Sequence, residues 1–278
     1  VGGGFFIDRA LADEGANDQV PVSAVNDTAT DGTVEPHSVE AEGLAPASLD
    51  AAIADIWVSD YTELYNAITG TPSGASRIIG LQNSFSLTAL ITISQNKNIT
   101  LVSPEGEAFT LTQSASGVRH FSVAAGASFT LGNVVLDGGT GGGTGGTGPG
   151  TSKGGVANSG SLYLENGAVV KNCYFSSSGG GVLLSAGTFT MNGGSIIENR
   201  AFSGGGGVHM NSSNATFVMN GGSITGNTAN GGTNAGAGVF VRGAFYMNGG
   251  EITNNVATST TAGGAGVLVY EGSNFIMG

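Results

Sequence analysis

The sequence predicts an all-β chain: a right-handed parallel β-helix with a short N-terminal capping helix and an extended, acidic N-terminal arm. Three observations predict it. From Gly154 onward one phrase recurs, as GGVANSGSLYLENGAVVKN, GGGVLLSAGTFTMNGGSIIEN, GGGVHMNSSNATFVMNGGSITGN, GAGVFVRGAFYMNGGEITNN and GAGVLVYEGSNFIMG. Within each unit, three short apolar segments alternate with glycine and asparagine turn signals, which reads as strands rather than helix. Valines and asparagines also return at matching places, as they do when coils stack about 4.8 Å apart.

The helix comes first. Residues 57–69, WVSDYTELYNAIT, carry Asp60 as a cap with Glu63 three residues on, and Gly70 follows as a stop. Leu64, Ile68 and a tyrosine ring from Tyr61 or Tyr65 form its apolar face. A solenoid end exposes unpaired edges, so this helix is expected over the N-terminal end. RIIGLQ, ALITIS, NITLVS, AFTLTQ, HFSVA and SFTLGNVVLDGG then read as strands of less regular coils, and Gly138 to Gly150 as an extruded loop. In the regular part, Val156, Val182, Val208, Val239 and Val267 mark successive coils, for about eight coils in all.

Asn172, Asn199, Asn227 and Asn255 are read as one position of successive units, and Asn166, Asn192, Asn220 and Asn248 as a second. Stacked identical side chains form amide ladders, and asparagine suits turns. The glycines before each marker valine are read as a sharp bend into the next strand. The domain division is therefore an acidic arm over residues 1–56 and the β-helix over 57–278, regular from 154.

Composition excludes several classes. The net charge is −12, which argues against nucleic-acid binding. Twelve of the 20 acidic residues lie in residues 1–60, which hold one basic residue, Arg9. This arm reads as solvated or surface-hugging, with a cation-binding tail as the weaker alternative. No apolar run approaches the ~18 residues of a membrane span. A lone Cys173 excludes a disulfide framework and a four-cysteine zinc site. The chain opens on valine with no signal core, and it stops midway through a repeat phrase, so that more repeats or another cover are expected at the C-terminal edge. Residues 2–10, GGGFFIDRA, are similar to GAGVFVRGA at 236–244. Gly3, Gly4, Phe5, Phe6, Ile7 and Asp8 are thus a candidate self-assembly strand, pairing with a solenoid end of its own chain or of a neighbour.

The chemistry-bearing residues are scattered. Glu198 aligns with Lys171, Gly226 and Asn254, and Glu251 with Ser195 and Ser223, so no carboxylate stack forms. His37, His120 and His209 share no metal spacing. His209 is expected to point outward, and Cys173 to be a buried small hydrophobe with no histidine indicated beside it. No catalytic, metal or cofactor residue is assigned, and no cofactor is expected. Threonines recur, as in ALITIS, FTLTQ, SFTLG and TFTM, but T-x-T pairs do not repeat at one place from coil to coil.

The GG-[GA]-V and I-x-x-N phrases, with the lead-in NKNITL…HFSVAAGASFTLGNVVLDGG, resemble the repeat regions of bacterial surface-exposed β-helix proteins of pectate-lyase-like fold. They are also similar to the GGA-[ILV] and F-x-x-N repeats of chlamydial polymorphic outer-membrane proteins. Here glycine replaces that alanine in two units, and Ile or Val replaces the Phe. The resemblance covers residues 57–278. It implies a non-enzymatic bacterial protein, extracellular or on the cell surface, structural or adhesive, with self-association or a host-surface or glycan ligand as partner. End-to-end assembly into a filament is the sharper form of this expectation. The alternative is a polysaccharide-binding or polysaccharide-cleaving enzyme on the same fold.

Overall fold

The computed structural model describes residues 5–7 (as a backbone strand), 54–139, 152–231, 235–258 and 263–278. Residues 1–4 and 8–53 of the acidic arm and the glycine run at 140–151 lie outside the described residues.

The chain winds into a parallel β-solenoid with three main faces. Face I stacks nine strands, from Ile56–Val58 to Asn274–Met277. Face II stacks seven, from Phe85–Leu87 to Glu251–Thr253. Face III stacks seven parallel strands, from Ile91–Ile93 to Val267–Val269, and an eighth, Phe5–Ile7, lies antiparallel on the last. Two faces therefore carry seven parallel strands against the eight coils expected. Shorter pairs, such as Arg200–Ala201 beside Thr228–Ala229, line the corner between faces II and III.

The core follows from strand alternation, which sends every second residue inward. On face I the inward row reads Ile99, Phe129, Leu162, Phe189, Phe217, Phe245 and Phe275. Successive rings of the last four stack at 4.7, 4.5 and 4.9 Å between centroids. The marker valines pair in the register expected, Val156 to Val182 to Val208 to Val239 to Val267.

The helix spans Tyr61–Thr69, and it touches the first strands of all three faces. Asp60 Oδ1 accepts from the Glu63 backbone N–H at 2.9 Å, while Glu63 Oε2 accepts from Ser59 N–H at 2.7 Å. The capping box thus closes on Ser59. Ile56–Val58, whose last two residues were expected to open the helix, is instead a strand paired with Ile79–Leu81. Gly70 ends the helix with φ −75°, in the right-handed region. The last turn has no basic residue of its own. Lys97 Nζ donates to Ile68 O and Thr69 O, and Arg77 Nη1 to Ala67 O, so solenoid cations satisfy the terminal carbonyls.

The glycines before the first four marker valines are needed for close approach. A Cβ on Gly181 would lie 2.8 Å from Gly207 O, and one on Gly207 2.7 Å from Gly238 O. Their backbones continue the ladder beyond the strand, with Gly181 N–H donating to Gly206 O and Val182 N–H to Gly207 O.

Candidate functional site

Three places are candidates: the pair of asparagine ladders, a buried cluster near Gly154, and the paired C-terminal edge of face III.

The first ladder is buried. Asn199 Nδ2 donates to Asn227 Oδ1 at 3.0 Å, and Asn227 Nδ2 to Asn255 Oδ1 at 3.0 Å. The same oxygens accept the backbone N–H of the preceding coil, from Cys173, Asn199 and Asn227 in turn. Each amide also donates to a carbonyl of the coil before, Val170, Ile196 and Ile224. The ladder therefore satisfies backbone groups that the tight corner leaves unpaired.

Asn172 is not a rung. Lys171 pairs with Ile197, so Asn172 falls opposite Glu198 and Cys173 opposite Asn199. Asn172, Glu198, Gly226 and Asn254 are instead the left-handed corner residues, at φ 53°, 55°, 66° and 54°. Glu198 accordingly aligns with Asn172 rather than with Lys171.

The second ladder is more exposed. Asn248 Nδ2 donates to Asn220 Oδ1 and Asn220 Nδ2 to Asn192 Oδ1, both at 2.9 Å. It ends at Glu165, whose Oε1 accepts from Asn192 Nδ2 at 2.8 Å, and not at Asn166. The cause is one extra residue: Leu164 pairs with Met191 but Val169 with Ser195.

The buried cluster joins residues that sequence reasoning kept apart. A Cβ on Gly154 would lie 2.7 Å from His120 Cε1 and 2.8 Å from Cys173 Sγ. A histidine thus sits beside the one cysteine, 53 positions away. Both ring nitrogens are committed to the backbone: Nδ1 accepts from Gly155 N–H at 2.8 Å, and Nε2 donates to Asp137 O at 3.1 Å. Burial lowers His120 to about 4 and pushes the Cys173 thiol up to about 12. The cysteine Sγ lies 3.1 Å from Lys171 O. A thiol held protonated beside a neutral imidazole with no free nitrogen has no route to a thiolate. The pair packs where the chain leaves and rejoins the coil around the glycine run.

Arg119 is buried beside this pair, its guanidinium 3.9 Å from the Phe175 ring centroid. Its Nη1 donates to Gly179 O and Nη2 to Ser178 O. Burial lowers it to about 10, which leaves it cationic at neutral pH. Asp137 receives Asn172 Nδ2 at 3.1 Å and lies 3.6 Å from Lys171 Nζ.

His209 lies on the outward side of its strand, as expected, between the core residues Val208 and Met210. Its ring is buried, stacked on Phe240 at 4.5 Å and 13°, because the backbone at Gly205 closes over it. Burial lowers it to about 4. Among the described residues no group of three or more His, Cys, Asp or Glu side chains is placed to hold a metal ion.

At the third place, Phe5–Ile7 pairs antiparallel with Val267–Val269, with Phe6 opposite Leu268. Gly3, Gly4 and Asp8 of the candidate assembly strand lie outside the described residues.

Comparison with known proteins finds no matching family model, no matching curated protein and no matching solved structure.

Proposed function

We propose that this chain is a non-enzymatic structural or adhesive protein of a bacterial cell surface or its exterior, a rod that associates end to end or holds a host-surface or glycan ligand. The observation that carries the reading is where the polar chemistry goes. The buried asparagines and His120 are hydrogen-bonded to backbone, as scaffold groups are. Repetition supports it as well. Ser128, Ser161, Thr188 and Thr216 share one register on face I, so an extended partner would meet the same hydroxyl coil after coil. No helix among the described residues is long and apolar enough to cross a membrane.

Negative-stain microscopy across a concentration series, run beside a polysaccharide digestion assay, tests this. Rods that join into fibres, with no new reducing ends or unsaturated products, are the expected result. Catalytic release of sugar fragments would replace the reading with the glycan-cleaving alternative, which needs carboxylates within ~5–10 Å of each other.

A further inference from the structure

Strand Phe5–Ile7 is the one antiparallel member of an otherwise parallel face. It lies on Val267–Val269, at the end of the solenoid opposite the helix. Its sequence is that of a coil strand. In GGGFFIDRA, Phe5, Phe6 and Ile7 match Val239, Phe240 and Val241 of GAGVFVRGA, and Val239–Val241 is the strand that pairs with Val267–Val269 from the other side. The acceptor strand is therefore flanked on both edges by the same short pattern. The central pairing, Phe6 with Leu268, holds in the antiparallel register and would also hold in a parallel one.

The covalent connection permits two donors. Between Ile7 and the first solenoid strand lie 48 residues, Asp8 to Asp55. Extended, they reach ~160 Å at ~3.3 Å per residue. The nine-strand stack of face I measures ~38 Å at ~4.8 Å per step. The same connection that returns the strand to its own far end reaches a neighbouring molecule's end as easily. The helix closes one end of the solenoid, so heterologous linkage passes through the strand and not through direct stacking of coil on coil.

We infer that the Val267–Val269 edge is a strand-acceptor site, and that a second copy of this chain supplies its Phe5–Ile7 strand there in exchange for the chain's own. Because the donor and acceptor differ, each exchange leaves a free donor and a free acceptor, and the linkage propagates. The self-seated strand competes at an effective concentration on the order of 1 mM, so exchange rises as protein concentration approaches that value. The inference rests on the structural reading above and specifies its contact.

The test is a cross-link in the full chain. Phe6→Cys with Leu268→Cys is oxidised by a glutathione mixture from ~10 μM to ~1 mM, bracketing that effective concentration. Buried Cys173 stays out of the reaction. The expected result is a monomer with an internal 6–268 disulfide when dilute, and covalent dimers and longer ladders when concentrated. Mixing the two single variants at ~1 mM should give a 6–268 heterodimer, identified by peptide mass. An internal disulfide alone at every concentration overturns the exchange. Absence of any 6–268 link in folded protein overturns the site itself. Ile7→Cys with Val267→Cys, one register along, repeats the test if the first pair impairs folding. A negative cross-link beside fibres in the microscope removes this contact and leaves the structural reading standing. Sugar release beside a positive cross-link does the reverse.

Discussion

The coils before Asp137 and those after Lys153 solve the same problem in two ways. In the first group each corner has its own device. Asn133 ties down the 103–107 loop, its Oδ1 accepting from Ser103 N–H and its Nδ2 donating to Pro104 O and Glu107 O. In the second group one device is copied. Asn199, Asn227 and Asn255 make the same bonds one coil apart, as the rings of Phe189, Phe217 and Phe245 stack on one another. A copied device couples neighbours: each rung is at once a donor to one coil and an acceptor for another. The irregular coils hold independent local solutions, and the regular coils hold a shared one.

The largest effect should come from cutting the shared core. Phe217→Ala removes the middle of the ring stack and is expected to cost about 4 kcal/mol, read by urea unfolding. Asn227→Ala follows at about 3 kcal/mol, since it strips the acceptor from Asn199 N–H inside a buried corner. The contrast sharpens with Asn220→Ala on the exposed ladder, which should cost under about 0.5 kcal/mol. Equal losses at Asn227 and Asn220 would break the distinction between scaffold rung and surface rung.

Acid tests the two buried histidines, of which His120 links the two groups. His120 sits in the irregular coils and bonds to Gly155 of the regular ones. Its folded value is about 4 against an ordinary 6.5, so in that window the unfolded chain holds the proton and the folded chain does not. Stability is therefore full above about pH 6.5 and falls as pH drops toward 4, by about 3 kcal/mol for His120. His209 titrates in the same direction, and His209→Phe, which keeps a ring on Phe240, should reduce the slope of urea midpoint against pH. Smaller still, Asp60→Ala should cost about 1 kcal/mol through the helix cap. Glu198→Gly should stabilise by about 1 kcal/mol, because a side chain at φ 55° is strained where Gly226 is not. Thermal unfolding reads both signs.

How legible the molecule was depended on whether signal and register coincided. Asn199, Asn227 and Asn255 align because their units have equal spacing between face I and face II, and the marker valines because each opens a face III strand behind a glycine. Asn166 and Asn172 were misaligned by one because their unit has an extra residue at that corner, and every phrase still ends in asparagine. The helix was legible in Asp60 and Glu63. The strand Ile56–Val58 before it was not, since its first two residues are exposed and its pairing is supplied by Ile79–Leu81. The meeting of His120 and Cys173 had no signal in the sequence at all. It arises where Gly138 and Gly154 approach each other beside both side chains, a matter of topology rather than pattern.

The two amide ladders run in opposite senses. In the buried one each Nδ2 that bonds an amide oxygen donates to that of the later coil, from Asn199 to Asn227 to Asn255, besides a carbonyl of the coil before. In the exposed one each points toward the earlier coil, from Asn248 to Asn220 to Asn192. The amide-to-amide bonds of the two rows therefore run against each other along the axis. Each added coil extends both rows together, so at the later end one row closes on an amide donor, Asn255 Nδ2, and the other on an acceptor, Asn248 Oδ1.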